Sequence, residues 1–228
     1  MSCVYTFKMN QAVHFQGKNQ PARTRRNDPA RTMAEILQVA SVEFADKGLA
    51  GARIDAIADA TRTSKRMIYY YYGSKEGLYL AVLEDAYRRT REIESGLHLR
   101  DLDPREALEK LVGFTYDRHR ENEDFIRLVM SENILRGEYI RQSKDIKKLN
   151  LPVIDAISEL YGRGVKGGVF RPGLDPVAIH GLISALAFFN VSNRHTFGAI
   201  FQKKASQGLA HTLGRPQVVE MVLRYVCR

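Results

Sequence analysis

The 228-residue sequence has few cysteines, no long apolar run and none of the short motifs that are typical of catalytic sites. Its cysteines, Cys3 and Cys227, lie near opposite ends and form no CxxC pair, so neither a metal knuckle nor a redox motif is implied. The most apolar run, Gly181 to Val191, is far shorter than the ~20 residues needed to span a bilayer. Because we find no nucleophile elbow, phosphate-binding loop or paired catalytic carboxylates, we do not expect an enzyme.

Targeting and metal signals are also missing. Residues 1–20 have neither the continuous apolar core nor the small-residue cleavage site of a signal peptide. The histidines at positions 119, 180 and 195 do not have the spacing of metal ligands. We therefore expect a soluble, cytoplasmic protein with no cofactor, no metal and no membrane partner.

What the sequence does have is positive charge, with a formal net charge of +9 at pH 7. A basic balance favours polyanionic partners, either nucleic acid or an anionic membrane surface. Part of the charge lies in and just after residues 1–29, where "GKNQPARTRRNDPAR" places five lysines and arginines against one aspartate. This stretch has no apolar period and predicts a disordered basic arm, either a solvated tail or a contact to phosphates.

From residue 31 onward the apolar residues recur at helical spacing, and no segment alternates as a strand does. The pattern predicts an all-α protein in two parts, a small N-terminal module and a larger helical bundle. Gly48 is expected to end the first helix, and Pro152 to kink or restart a later one. We expect "GRGVKGGVFRPGLDP" to form a glycine-rich loop. Helices are predicted from Pro104 to about Asn122, Glu123 to Leu135, Asp175 to about Asn193 and Pro216 to Val226.

Two short helices precede "GSKEG", and together they have the length of a helix-turn-helix unit. Thr63 or Ser64 is suited to cap the second of these, which runs to about Tyr71. Ile68 and Tyr72 are four residues apart and share the face that packs on the protein. The four consecutive tyrosines cannot all point into one core, so the others are left for the opposite face.

The segment "FADKG…IDAIADATRTSKRMIYYYYGSKEGLYLAVL" resembles the DNA-binding domain of the tetracycline-repressor (TetR) family of bacterial transcription regulators. The resemblance covers roughly residues 31 to 83. It is carried by matches in order and at fixed spacing: Phe44, Gly48, Ile57, Ala58, Ala60, Ser64, Ile68, Tyr69, Tyr72, Lys75 and Leu78.

The sequence departs from this family at three places. Arg62-Thr63 stands where the family usually has Gly-Val, so Arg62 is expected in a backbone conformation that most residues avoid, at a cost of about 1 kcal/mol. Ala52 replaces the usual threonine cap of the second helix, and Tyr72 replaces the usual terminal phenylalanine.

The resemblance implies a helix-turn-helix DNA-binding domain at residues 30–74 and a helical ligand-binding and dimerisation domain at residues 75–228. Lys65 and Arg66 would project from the first turn of the recognition helix toward base edges, and the fork of Arg66 suits guanine. The remaining candidates for base or phosphate contacts are Arg53, Arg62, Ser64, Tyr69, Tyr70, Tyr71 and Lys75.

The resemblance also implies a homodimer on a palindromic double-stranded DNA operator, held by the last two long helices. A small-molecule effector of unknown identity would bind in the C-terminal bundle. Polar residues within apolar helical faces are the candidates for that pocket, and for each of them a satisfied core or surface position is the competing interpretation: Tyr116, His119, Arg127, Asn133, His180, Asn190 and Asn193.

The expected function is that of a repressor which a ligand releases from its operator. Two alternatives stay open at this point. One is a ligand-dependent activator of the same family, and the other is a basic helical module that binds membranes or partner proteins.

Overall fold

The computed structural model describes residues 28–201 and 213–228. Within these two ranges the chain is helical and has no strands, apart from one isolated antiparallel bridge between Phe170 and Cys227. The predicted all-α class is confirmed. The basic arm predicted for residues 1–29 lies outside the described residues, except for its last two positions.

Ten α-helices are described, and aspartate or serine side chains cap most of their starts. Two short 3₁₀ turns, Leu99–Asp101 and Ile140–Gln142, lie between them. The α-helices are α1 (Pro29–Gly51), α2 (Ile54–Thr61), α3 (Lys65–Tyr72), α4 (Lys75–Ser95), α5 (Pro104–Glu121), α6 (Glu123–Ile134), α7 (Lys144–Lys166), α8 (Pro176–Ser192), α9 (Arg194–Ile200) and α10 (Arg215–Val226).

The N-terminal helices surround a core in which Ile36, Phe44, Ile57 and Ile68 are fully buried. This core does not end with α3, because Leu78 through Leu83 of α4 supply four of its buried side chains. Leu128 of α6 and Ile146 of α7 also belong to it. The first half of α4 is therefore packed with the N-terminal module, while its second half extends toward the C-terminal helices.

The C-terminal helices share a second core, formed mainly by α5, α7, α8 and α10. Val112, Ile157, Ile183 and Val222 are typical members and lie on the inner faces of these four helices. At one edge of this core Arg215 of α10 passes over α5 at Gly113 and pairs with Asp117 at 2.9 Å. A third, smaller cluster is formed by Phe125, Ile126 and Val191.

The structure refines three local predictions. Gly48, with φ 66° and ψ 176°, breaks the helical geometry of α1 at the predicted position, and one short turn continues to Gly51. Pro152 lies inside α7, which starts at Lys144 and runs on to Lys166, so the helix does not restart there. As a result the glycine-rich loop is shorter than predicted, because its first residues belong to α7. Lys148, whose carbonyl lies four residues before Pro152, is exposed, so water can replace the hydrogen bond that proline cannot donate.

Across residues 28–201 and 213–228, no single helix is long and apolar enough to cross a membrane. Helices α8 and α9 pass that test of length and composition only when taken together, and they meet at a bend of 63°.

Candidate functional site

Helix α3 is a short, rigidly terminated helix on the surface of the N-terminal module. The hydroxyl of Ser64 accepts a hydrogen bond from the backbone N–H of Met67 at 3.2 Å, and this selects Ser64 over Thr63 as the cap. Gly73 ends the helix with a φ of 76°. Ser74 then caps α4 by accepting from the N–H of Gly77 at 3.0 Å. Both ends of α3 are therefore fixed by local hydrogen bonds.

One face of α3 is buried and the other is open to solvent. Ile68 is fully buried, and the hydroxyl of Tyr72 donates to the carbonyl of Met33 in α1 at 2.9 Å. Burial raises the pKa of Tyr72 to about 12, so its hydroxyl stays a hydrogen-bond donor at any ordinary pH. On the opposite side Tyr69 and Tyr70 are 44% and 77% exposed. The prediction that Ile68 and Tyr72 hold α3 on its neighbours is confirmed.

The turn between α2 and α3 contains the strained residue that the sequence predicted. Arg62 has φ 52° and ψ 36°, which is the left-handed region, and its N–H donates to the carbonyl of Asp59 at 3.2 Å. Its side chain is exposed. The turn therefore keeps a left-handed residue, but that residue is Arg62 and not the glycine that is usual at this position.

The cations predicted to contact DNA differ in whether they already have a hydrogen-bond or ion-pair partner within the protein. Lys65 forms an ion pair with Asp55 of α2, and that hydrogen bond is the main cause of the raised pKa of Lys65. Lys75 donates to the carbonyl of Ala50 at 3.2 Å, which holds it against the end of α1. Within the described part of the chain, Arg66 makes no hydrogen bond or ion pair.

The other residues predicted to contact DNA differ in their exposure. Arg53 and Ser64 are exposed, whereas Tyr71 is half-buried and lies edge-on to Tyr70 and Tyr72. We call the exposed residues of this set the α3 surface: Arg53, Arg62, Ser64, Lys65, Arg66, Tyr69 and Tyr70.

The predicted effector residues do not all meet at one place. Arg127 donates to the carbonyls of Ala45 and Asp46 at 2.8 and 3.1 Å, and so ties α6 to α1. Asn133 is exposed, and its amide donates back to Val129 within α6. Asn193 ends α8 and donates to Ser192. These three side chains have local or inter-helix partners in the structure.

His119 and His180 are both half-buried and lie in one polar cluster. Burial lowers the pKa of His119 to about 4, and the charges of Arg91 and Arg118, with that of His180 whenever it is protonated, add to the shift. Burial, with Arg91 again contributing, also lowers the pKa of His180. Both rings are therefore uncharged at neutral pH.

Two further members of the predicted set lie on the same helices as these histidines. Asn190, on α8, is 8% exposed, and its amide donates to the carbonyl of Leu186 while its Oδ1 has no partner. Tyr116, on α5, is almost fully buried, with the guanidinium of Arg120 over its ring at 5.8 Å.

Sequence reasoning missed Arg91, Glu94 and Arg118, which complete this cluster. Arg91 and Glu94 of α4 form an ion pair, and both side chains are more than four-fifths buried. Burial raises the pKa of Glu94, although Arg91 opposes that shift. A signal for Arg91 was present, since it continues at steps of four residues the buried face of α4 that begins with Leu83 and Tyr87.

A separate open cleft of about 720 Å³ lies between α5 and α10. Its walls include Arg105, Arg171 and Arg224, and none of the predicted effector residues lines it. In residues 28–201 and 213–228 no group of three or more histidine, cysteine or acidic side chains is arranged to hold a metal ion.

Comparisons with known proteins agree with this arrangement of a helix-turn-helix module followed by a helical bundle. Residues 36–82 match the family profile described as bacterial regulatory proteins of the tetR family. Residues 104–222 match the profile described as the tetracyclin repressor-like C-terminal domain.

Two curated relatives and two solved structures extend these matches. The transcriptional repressor NicS of Pseudomonas putida is 33% identical over 169 residues, covering 74% of this chain and 80% of NicS. The repressor SCO4008 of Streptomyces coelicolor is 36% identical over 110 residues, which is 48% of this chain and 54% of SCO4008. Among structures, the S. coelicolor regulator SCO4942 has a TM-score of 0.62 at 26% identity, covering 86% of this chain and 98% of that one. A tetR-family protein from Rhodococcus RHA1 has a TM-score of 0.66 at 20% identity, covering 87% and 98%, and shows the same fold.

The helix-turn-helix module and the helical bundle define a bacterial transcription regulator that binds DNA. The chain belongs to the TetR family, whose members bind DNA and act as dimers. It is accordingly a regulator and not an enzyme, and the effector is unknown.

Proposed function

We propose that this protein is a transcriptional repressor that binds a palindromic operator as a homodimer and is released when a small molecule binds its C-terminal helices. The observation that carries the proposal is the α3 surface, an exposed set of cations and tyrosine hydroxyls on a helix whose opposite face is anchored to the core. The names of the relatives NicS and SCO4008, both called repressors, favour repression over activation. The site of action is the cytoplasm, where the chromosome is.

Arg66 is the principal base-reading residue in this proposal. Its guanidinium projects from the first turn of α3 without an internal partner among the described residues, so both of its outer nitrogens are available to a guanine edge. Lys65 and Ser64 lie beside it, and Lys65 exchanges its pair with Asp55 for DNA contact. Arg53, Arg62, Tyr69 and Tyr70 contact phosphates or bases around this centre, with Tyr71 and Lys75 at the margin.

The homodimer interface consists of the outer faces of α8 and α10. Helix α8 has no charged residue along its length, and its exposed stripe repeats every four residues as Val177, Gly181, Ala185 and Phe189. A Cβ at Gly181 would meet no atom within 4 Å, so a second helix has room to approach closely. On α10 the exposed apolar side chains are Met221 and Tyr225.

In this proposal residues 30–74 form the part that binds DNA, and residues 75–228 form the part that dimerises and binds the effector.

Footprinting of the DNA upstream of the protein's own gene tests the proposal directly. We expect protection of two symmetric half-sites whose centres are about one helical turn, ~10 bp, or a multiple of that apart. The absence of protection even at low salt would contradict DNA regulation at this site. An expression profile of a deletion strain distinguishes repression from activation, because the transcripts of target genes increase when a repressor is lost and decrease when an activator is lost.

Light scattering after size-exclusion chromatography tests the dimer. Ala185→Glu places a charge in the middle of the α8 stripe and is expected to shift the protein to a monomer. The matched control is Ala156→Glu, which adds the same charge on the exposed face of α7 and leaves the dimer intact. Equal masses for the two variants would rule out the α8 face as the interface.

A further inference from the structure

Three side-chain nitrogens on α4 and α5 are buried without a hydrogen-bond partner in the described structure. They are Nε of Arg91, Nε of Arg118 and Nδ1 of His119. Buried polar atoms in folded proteins are nearly always hydrogen-bonded, because an unpaired one loses its water without compensation. Arg118 directly precedes His119 on α5. Arg91 lies one turn after Tyr87, whose ring is 5.2 Å from that of Phe125, and the ring of Phe125 is 6.5 Å from that of His119, so the three groups lie in one neighbourhood.

The unused hydrogen-bonding groups in this neighbourhood are mainly donors. Arg91 uses one terminal nitrogen to hold Glu94, and Arg118 reaches Glu121 at 3.6 Å, so each guanidinium already has one acidic neighbour. Their Nε–H groups can only donate. His119 and His180 can each take up a proton and then donate as well. The missing partner must therefore accept hydrogen bonds, and a carboxylate does so most strongly.

Aromatic side chains form the apolar boundary of the same neighbourhood. The ring of His119 lies 6.5 Å from the rings of both Phe125 and Phe188, measured between centroids. Tyr87, one turn before Arg91 on α4, lies edge-on to Phe125 at 5.2 Å. A molecule that reaches the unpartnered nitrogens would have these rings around its other end.

We infer that the effector is an organic anion, whose carboxylate accepts hydrogen bonds from Arg91 and His119 and whose apolar body lies against Phe125 and Phe188. This inference rests on the proposed function and specifies the chemical class of its effector. Glu94 is the one acidic group paired to Arg91, and it opposes the incoming carboxylate. Proton uptake by the histidines offsets that repulsion, so binding of the anion is coupled to binding of a proton.

Isothermal titration calorimetry of the full chain with matched small probes tests the class of ligand. The probes are benzoate and its neutral analogue benzamide, and hexanoate and its neutral analogue hexanamide. We expect a carboxylate to bind at least about tenfold more tightly than its amide, because only the ionised acceptor gains from the two donors. If neither carboxylate binds better than its amide, the inference is wrong.

Substitutions locate the site. Arg91→Gln is expected to weaken benzoate binding by about tenfold or more, while the control Arg89→Gln, which removes an exposed arginine on the same helix, leaves it unchanged. Because Arg91→Gln also leaves Glu94 buried without its pair, the double variant Arg91→Gln/Glu94→Gln is measured too. If that double variant folds, as judged by circular dichroism, and still binds benzoate as the wild type does, Arg91 is not the anion site.

Proton linkage provides a readout that a purely structural role of His119 would not change. Titrations in two buffers of different ionisation enthalpy are expected to show proton uptake with benzoate at pH 7, and less uptake in His119→Gln. Equal uptake in both proteins would remove His119 from the site.

Operator binding separates this inference from the proposed function. Release of operator DNA by benzoate or hexanoate, but not by the amides, supports both. Release by the amides alone overturns the anion class while leaving a ligand-released repressor intact. Failure of the ligand-free protein to bind any operator contradicts the proposed function itself, whatever the titrations show.

Discussion

The α3 surface and the buried cluster around His119 use similar residue types under opposite conditions. On α3, cations and tyrosines stand in water, where Arg66 loses little by having no partner. Around His119, arginine and histidine are shielded from water, so each charge must be paired or suppressed, and the pKa of His119 falls to about 4. An exposed cation suits an extended polyanion that arrives from solvent, whereas a buried one suits a single small partner.

The largest expected effect comes from the two faces of α3 itself. Ile68→Ala removes a fully buried side chain and is expected to lower the free energy of unfolding by about 3 kcal/mol. Tyr70→Ala, on the exposed face two residues later, is expected to change that free energy by less than about 0.5 kcal/mol. Urea denaturation of both variants measures the contrast, and similar losses would mean that Tyr70 is packed in solution.

The second prediction concerns the pH dependence of stability. The pKa of His119 is about 4 in the folded protein and has an ordinary value near 6.5 in the unfolded chain, so the unfolded state binds more protons between these values. The contribution of His119 to the free energy of unfolding is therefore at its full value above pH 6.5 and is lost as the pH falls toward 4. We expect the free energy of unfolding to fall by about 2 kcal/mol between pH 7 and 4.5.

Thermal or urea unfolding from pH 7 to 4.5 measures this slope. His119→Gln should flatten it, because glutamine does not titrate. The lowered pKa of His180 contributes in the same direction, so His119→Gln/His180→Gln should flatten it further. A wild-type stability that does not change over this range would contradict the burial of both rings.

The third prediction is the loss of operator affinity without loss of stability. Arg66→Ala removes the unpartnered guanidinium and is expected to weaken specific binding by about 1.5 kcal/mol, roughly tenfold. The control is Arg88→Ala, an exposed arginine on α4. Fluorescence anisotropy with labelled operator measures both, and equal affinities would show that Arg66 does not read the operator.

The fourth prediction uses the left-handed residue of the turn. Arg62→Gly relieves the backbone strain and is expected to stabilise the fold by up to about 1 kcal/mol. It should also reduce the slope of log affinity against log salt by about 0.9, if Arg62 contacts one phosphate. Stabilisation with an unchanged salt slope would place Arg62 away from DNA.

The smallest effect is expected for Asp55→Asn. The Lys65–Asp55 pair is exposed, so its loss should leave the stability almost unchanged. Operator affinity should rise slightly, because a negative charge leaves the α3 surface and Lys65 becomes free. A marked drop in affinity would instead show that Asp55 positions Lys65 for DNA.

Much of the N-terminal module was predictable because its signals are local. The cap at Ser64, the buried face of Ile68 and Tyr72 and the strained Arg62 all follow from spacing within a few residues. The ion pair of Lys65 was not predictable, since it depends on how α2 and α3 are oriented in space. At Pro152 the sequence left a kink and a restart as alternatives, and α7 does not restart there, with Ile146 and Val153 buried on either side of the proline.

The buried cluster was less predictable for the same physical reason. Arg91 continues the face of Leu83 and Tyr87, but it stands in "YRRTREIE", which looks like an ordinary solvated helix surface, and that charged context hides its burial. Arg127 is the opposite case, because it stands in an apolar segment of the sequence and yet its guanidinium hydrogen-bonds to α1. Periodicity identifies the face of a helix, and tertiary packing decides what that face meets.

The tie made by Arg127 has a consequence for how the protein tolerates change over evolution. Its acceptors include the main-chain oxygens of Ala45 and Asp46, which every substitution at those positions retains. Helix α1 can therefore vary at positions 45 and 46 and keep both main-chain acceptors, although a change of Asp46 removes the carboxylate that also accepts from Arg127 at 3.3 Å. A substitution of Arg127 would remove all three hydrogen bonds at once, so this link depends on the residue at position 127.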